Sequence, residues 1–427
     1  MFKFFMIAFL SIGVALTPVA VWSSMAKRFD EAQVFFPKDI SLLAQIVDDA
    51  LINNPRLKAS QSKVDASDAR FEAASQALYN PELDFDYENS EINTSSVGIN
   101  QTIDWSDKRG GRAKVAQFDK KMSQMNLIIA YQNFSAQLLQ NLSDFHTAND
   151  KNALTKLRIE LLQEFVSLVK KRYQGGDVNQ AQLSLAQLSF TKATIERSRA
   201  FSQLMTTKQA LIVLTGSDND QWPGLPVKLP VVKLELDKLQ ETINHLPKTR
   251  EQMSKIETAM AKVQLRTREQ NADPTIGIRA GREDSDNLIG FNLSIPLNIR
   301  NTYKSEVNVA NAELIQAEME SKNLVRQLKS QLVSSASRYQ ITRESWLNWQ
   351  KTGKKSLSKQ FSIIHKQWQA GEINSTDYFL QLNQTLDTRL SVIELRHELW
   401  STWITWLKTS SSVTQWLNLK HYSEAQI

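Results

Sequence analysis

The chain contains no cysteine. That absence excludes disulfides, thiolate nucleophiles, thiolate metal sites and a lipid-bearing N-terminal cysteine. Glycine (13) and proline (10) are scarce in 427 residues, which favours long helices and excludes collagenous or low-complexity organisation. The five histidines, His146, His245, His365, His397 and His421, form no i, i+4 pair, so no metal site and no cofactor are expected. There is no GxSxG, phosphate loop or dinucleotide fingerprint, and HELWS at His397 lacks the second histidine of a zinc-protease helix. The chain therefore does not read as an enzyme, and no catalytic residue is assigned. Charge of one sign is missing too: the excess of +6 is spread along the sequence, so no nucleic-acid partner is expected.

Long apolar runs are absent beyond the N-terminus. Lys3 precedes an apolar stretch from Phe4 to about Trp22, and Ser24-Met25-Ala26 places small residues where a signal peptidase reads. Residues 1–26 are expected to be a cleaved secretory signal, with a retained anchor as the alternative. Nothing later has the run of about eighteen apolar residues that a spanning helix needs. An exported chain of this kind crosses a membrane, if at all, as strands.

What is present is a repeat. RYQGGDVNQAQ from Arg172 and KQWQAGEINSTDY from Lys366 share an aromatic, a glycine, an acid and a β-branched residue in one order. Aligning Gly176 with Gly371 gives an offset of about 195 residues. Within a few residues, the same offset carries NPELDFDYE at Asn80 onto DPTIGIRAG at Asp273, and VGINQTIDW at Val97 onto IGFNLSIPL at Ile289. Three landmarks in one order indicate a tandem duplication. The expected units are a first repeat over 27–220, a linker over 221–234, a second repeat over 235–410 and a C-terminal tail over 411–427.

Each repeat holds one β-hairpin, over 81–104 and over 274–297. Leu83, Phe85 and Tyr87 alternate with Asp84, Asp86 and Glu88, and Val97, Ile99 and Ile103 alternate with Gly98, Asn100 and Thr102, so each strand has one apolar face. Ile276 and Ile278, then Ile289, Phe291, Leu293, Ile295 and Leu297, repeat the pattern. Between Arg112 and Tyr173, and between Tyr303 and Trp368, proline is absent. Each segment is expected to be one helix of roughly 90 to 100 Å. Val307, Ala310, Leu314, Ala317, Ser321, Leu324 and Leu328 step by three and four, the spacing of a coiled-coil seam. The chain reverses near Gly176 and near Gly371, at the far tips of two helical hairpins. Return helices are expected at about Asn179–Thr215 and about Leu234–Gln270, separated by a proline-rich stretch.

Four strands cannot close a membrane barrel alone, because known single-chain barrels begin at about eight. Three copies give twelve strands around an open lumen. The alternative is a soluble bundle capped by two hairpins.

The duplicated hairpins, the strand openings NPEL and DPTIGI, VGINQTIDWSDKRGGR, LIGFNLSIPLNIRN, the two tip turns and LIVLTG at Leu211 resemble the TolC-type outer-membrane efflux proteins. NPELDFDYE with DWSDKRGGR, and DPTIGI with SIPLNIRN, are most similar to the heavy-metal (cation) efflux branch. The resemblance implies an α+β membrane protein: a homotrimer with a twelve-stranded β-barrel in the outer membrane of a Gram-negative bacterium and a periplasmic α-barrel of coiled-coil hairpins. The implied role is the passive exit duct of a tripartite efflux pump. Its partners would be a periplasmic adaptor, an inner-membrane pump of the resistance-nodulation-division type reached through it, and outer-membrane lipid. A type I secretion duct and an exported scaffold without a pore are the alternatives.

The resemblance also implies sites. The tips that meet the adaptor map to Gly175, Gly176, Asp177 and Val178 and to Gly371, Glu372, Ile373 and Asn374. Asp377 matches the first of two aspartates that ring the periplasmic entrance in the family. Leu380 occupies the second position, a departure. Asp377 is also a helix-start aspartate of the ordinary kind. Tyr79, Trp105 and Tyr303 flank the hairpins, as an interfacial belt or as packing at the barrel-to-helix joint. Lys108, Arg109 and Arg112 follow as headgroup contacts or as a solvated helix start. Trp400, Trp403 and Trp406 share a helical face and read as packing around the mid-tunnel. A wet lumen accounts for Asp84 and Asp86.

Overall fold

The computed structural model describes residues 40–91, 93–218, 222–226 and 228–422; the expected signal segment lies outside them. The chain starts with α1 (Ser41–Asn53) and α2 (Pro55–Ser75). Asn54 between them is extended (ψ 122°) and its side chain accepts from the Arg56 amide. Proline forces that break: the residue before it avoids helical ψ, and proline itself suits a first helical position. The second repeat does the same at Leu246 (ψ 139°), between α5 (Leu239–Asn244) and α6 (Pro247–Glu269). The single helix expected from Leu234 is therefore two, starting later.

The first hairpin is β1 (Glu82–Glu88) and β2 (Thr94–Thr102), followed by α3 (Lys108–Gln174), one unbroken helix of 67 residues, about 100 Å long. Asp107 enters it in the left-handed region (φ 58°) with its carboxylate accepting from Gly110 N at 3.1 Å. After the tip, α4 (Gln180–Thr215) runs back. In the second repeat, β3 (Thr275–Glu283) and β4 (Asp286–Ser294) lead through Tyr303, also left-handed (φ 54°), into α7 (Lys304–Asn348).

Here the two repeats diverge. The second long helix carries a π-turn at Trp349–Gly353 before α8 (Lys354–Gln369). The Trp349 ring lies over Gly353, where a Cβ would meet it at 2.1 Å. The wider turn accommodates the ring without ending the helix. Next come α9 (Ser375–Thr409), α10 (Val413–Trp416) and a 3₁₀ turn at Lys420–Tyr422.

All four strands form one antiparallel sheet in the order β1-β2-β3-β4, so each repeat contributes one hairpin. The seam read in α7 is used: Ala310, Ala317 and Leu328 are buried and its other members half-buried. Small Ala317 lets α6 approach closely enough for Gln252 Nε2 to donate to its carbonyl at 3.0 Å.

The largest core girdles the middle of the helices. Phe134, Leu138, Leu139 and Leu142 of α3 meet Leu399, Trp400, Trp403 and Leu407 of α9, while Trp406 is half-buried at its edge. The proline-rich segment is a strap over this core. Trp222, Leu225, Leu229 and Val232 are buried, and Tyr339 Oη donates to Pro230 O at 2.5 Å and Gln340 Nε2 to Val232 O at 2.9 Å. These bonds satisfy carbonyls that have no helical partner. Residues 413–422, a tail by sequence, also join the core through Val413 and Leu417, and Trp416 stands edge-on to Trp400 and Trp403.

Candidate functional site

The sheet has two chemically opposite faces. Register aligns Leu83, Ile99, Ile278 and Phe291 in one row and Phe85, Val97, Ala280 and Ile289 in the next. These apolar side chains are not covered by the chain: Phe291 is 68% and Ile289 87% exposed. A contiguous apolar face on a soluble monomer is uncommon and marks a partner or a membrane. The opposite face carries Glu82, Asp84, Asp86 and Glu88 on β1, with serine, threonine, asparagine and glycine on β2. Asp84 accepts from Asn100 Nδ2, and Asp86 Oδ2 lies 3.5 Å from Ser96 Oγ, so both carboxylates are turned toward polar groups of β2.

Where sheet meets helices, a polar node centres on Asp273, 6% exposed. Its Oδ2 accepts from Tyr79 Oη at 2.7 Å and pairs with Lys108 Nζ at 2.9 Å. Lys108 also donates to Asn271 O at 2.7 Å, so its ammonium is committed inside the joint. Burial makes such a pair costly to break from one side. Tyr79 is thus part of the joint, Tyr303 is half-buried at the start of α7, and Trp105 projects into solvent, 75% exposed. Arg109 is exposed and Arg112 half-buried.

The two tips share one architecture. Gly176 (φ 81°) and Gly371 (φ 74°) are left-handed, whereas Gly175 is an ordinary helical residue (φ −81°). Asp177 N donates to Arg172 O at 2.9 Å and Glu372 N to Gln367 O at 2.8 Å. Gly176 N and Gly371 N reach Tyr173 O and Trp368 O. This is the Schellman pattern, which satisfies carbonyls at a helix end. Asn179 then caps α4 through Gln182 N, and Asn374 caps α9 through Asp377 N, each at 2.9 Å. Val178 and Ile373 fold back half-buried on their own cluster, while Gly175, Gly176, Asp177, Gly371, Glu372 and Asn374 are exposed. Asp377 is exposed, with Oδ2 accepting from Asn374 Nδ2 at 2.8 Å, and Leu380 is 66% exposed.

Behind the tips lies a cluster that sequence inspection passed over. Trp368 stacks on Tyr378 (centroids 3.9 Å, 7° between planes), and Phe165 of α3 stacks on Phe379. His365 is buried beside them, Nδ1 3.4 Å from Tyr378 Oη. Burial lowers the pKa of His365 and raises that of Tyr378, and it also pushes Glu164 up, aided by the Glu160 charge. Further from the tips, Arg158 of α3 reaches Asn383 and Asp387 of α9 and Glu196 of α4 at 2.9, 3.0 and 3.3 Å. Arg396 pairs with Asp150. Burial raises the Asp150 pKa, and the guanidinium pulls it the other way. The links of Arg158 to α9 and of Arg396 to Asp150 join positions more than two hundred residues apart, and no local signal announces them.

Among the described residues no helix is long and apolar enough to cross a membrane, and no group of metal-ligating side chains forms. Residues 46–217 match the outer membrane efflux protein family. No curated relative matches the chain by sequence. Solved structures match its fold throughout. The Campylobacter jejuni CmeC outer membrane channel is 15% identical with TM-score 0.73, over 90% of this chain and 89% of that one. The open state of the Neisseria gonorrhoeae MtrE outer membrane channel is 13% identical with TM-score 0.72, over 87% and 89%. CusC, a transmembrane channel, is 14% identical with TM-score 0.73, over 86% and 92%. In the sequence of its first repeat the chain is similar to the outer membrane efflux protein family, and both of its repeats share the fold of these outer-membrane channels.

Proposed function

We propose that three copies assemble into the exit duct of a tripartite efflux pump in the outer membrane of a Gram-negative bacterium. The observation that carries this reading is the sheet: four strands, two unpaired edges, one exposed apolar face and one acidic, hydrated face. Strands in lipid must satisfy every backbone group, which requires closure, and twelve strands leave a lumen that eight do not. The apolar face then meets lipid and the acidic face lines the lumen. A scaffold without a pore has no use for such a sheet.

The long hairpins continue as a hollow periplasmic cylinder, and their exposed tips meet the periplasmic adaptor. The inner-membrane pump, of the resistance-nodulation-division type, engages through that adaptor. Three copies of Asp377 stand around the entrance as a cation-attracting ring, with Leu380 supplying an apolar ring where a second carboxylate ring would stand. Trp105 sits at the lipid boundary, near Tyr79 and Tyr303 of the joint. Heavy-metal cations are the proposed cargo, carried through without binding.

Single-channel recording in planar bilayers tests the reading. Discrete, cation-selective openings are expected, with selectivity reduced in Asp377→Ala. A purified protein that folds but never conducts removes the duct, and unchanged selectivity in the variant removes the ring.

A further inference from the structure

One cation on the acidic face is aimed out of the subunit. Asp84, Gly98, Arg279 and Gly290 form one row across the sheet. A Cβ built on Gly290 would meet Arg279 Nε at 2.6 Å, Cγ at 2.9 Å and Cδ at 3.3 Å, whereas one on Gly98 meets only the Arg279 Cβ and backbone. The Arg279 side chain therefore lies flat across Gly290, toward the free edge of β4 and away from Asp84. No ion pair to it forms among the described residues. At the opposite edge of the sheet, β1 presents Glu82, Asp84, Asp86 and Glu88 on this same face.

We propose that Arg279 crosses the seam between subunits and pairs with the acidic row on β1 of the next copy. This rests on the trimeric barrel argued above. Strands lie about 4.8 Å apart, so the next β1 is roughly 9.6 Å from the Arg279 Cα. An extended arginine covers roughly 7 Å of that at ordinary bond lengths, and a carboxylate side chain covers the rest. Tilt of about 35–45° makes a hydrogen-bonded row climb about four to six residues over four strands. With the right-handed twist of strands, the row through Gly290 arrives near the far end of the next β1. Glu88 is then the nearest carboxylate and Asp86 the next down the row. Gly290 keeps the lane open, and three such pairs hold the barrel closed from inside. The pairing also explains why the acidic row stands on an edge strand, where charge otherwise blocks association.

The test is a charge swap read as the lifetime of the detergent-purified trimer. Arg279→Glu is expected to shorten its half-life by about tenfold, and Gly290→Val, which blocks the lane, to act in the same direction. Adding Glu88→Arg, or Asp86→Arg, to Arg279→Glu is expected to restore it. A separate reporter, bismaleimide bridging of Phe291→Cys to Tyr87→Cys on the apolar face, detects the β4–β1 seam whether or not the ion pair exists. Bridged chains with a lifetime indifferent to Arg279→Glu overturn the ion pair and leave the barrel standing. Loss without rescue by either acid swap also overturns it. No bridging from a monomeric protein overturns the barrel itself.

Discussion

Replacing Gly176 and Gly175 separately by alanine distinguishes two neighbours that the sequence presents as equals. Gly176 has φ 81°, and nothing lies within 4 Å of the position its Cβ would take. The cost of alanine there is conformational alone, about 1–2 kcal/mol for an L-residue in the left-handed region. Gly175 has φ −81° and its nearest neighbours to a built Cβ are at 3.6 Å or more, ordinary contact distances. Alanine there restricts mainly the unfolded chain and stabilises by about 0.4–1 kcal/mol. The difference between the variants is therefore about 2 kcal/mol, spent locally. Across so large a chain it moves a global melting point very little. Hydrogen exchange of the Asp177 amide, which donates to Arg172 O, reads it directly. Protection should fall at least fivefold in Gly176→Ala and hold or rise in Gly175→Ala. Gly371→Ala should act on the Glu372 amide in the same way. Equal losses at Gly175 and Gly176 would refute the left-handed cap as the determinant of the turn.

Other expectations follow from the same geometry. Arg158→Ala should cost about 1–2 kcal/mol by denaturant unfolding, since it removes the bond to Asn383, while Asp387→Ala, at a mostly exposed carboxylate, should cost under about 0.5 kcal/mol. Gly353→Ala should expel the Trp349 ring and lower stability by about 1–3 kcal/mol, with a changed near-ultraviolet dichroism; an unchanged spectrum would refute the ring-over-glycine account of the π-turn. His365 and His146 both have pKa values lowered by burial. The unfolded chain binds their protons first, so stability should be flat above about pH 6.5 and decline below it. His365→Asn should shallow that decline; an unaltered slope would count against His365.

Much of this architecture is legible in the residues. Alternation in Leu83–Tyr87 and Ile289–Leu293 marks the hairpins, and the repeated glycine turn marks the tips, because both are local signals with a fixed period. The breaks at Pro55 and Pro247 have a local cause as well, yet the helical pattern around Pro247 reads as continuous until the extended Leu246 is seen. The π-turn has no signature: Gly353 resembles any tolerated helical glycine until Trp349 is placed over it. The strap reads as a linker because its anchors, Tyr339 and Gln340, lie about a hundred residues away. The stacking of Phe165 on Phe379 and the links of Arg158 to α9 are hidden for the same reason. Arg279 looks like one more lumen charge until its path over Gly290 is known.

The central claim is that four strands per chain become twelve, and the number of chains in the detergent-extracted particle tests it most directly. Native mass spectrometry after removal of detergent should give three copies and no stable smaller species. A single copy would contradict the account, because one four-stranded sheet leaves both edges and its apolar face uncovered. Two copies would contradict it too, since eight strands close without an open lumen.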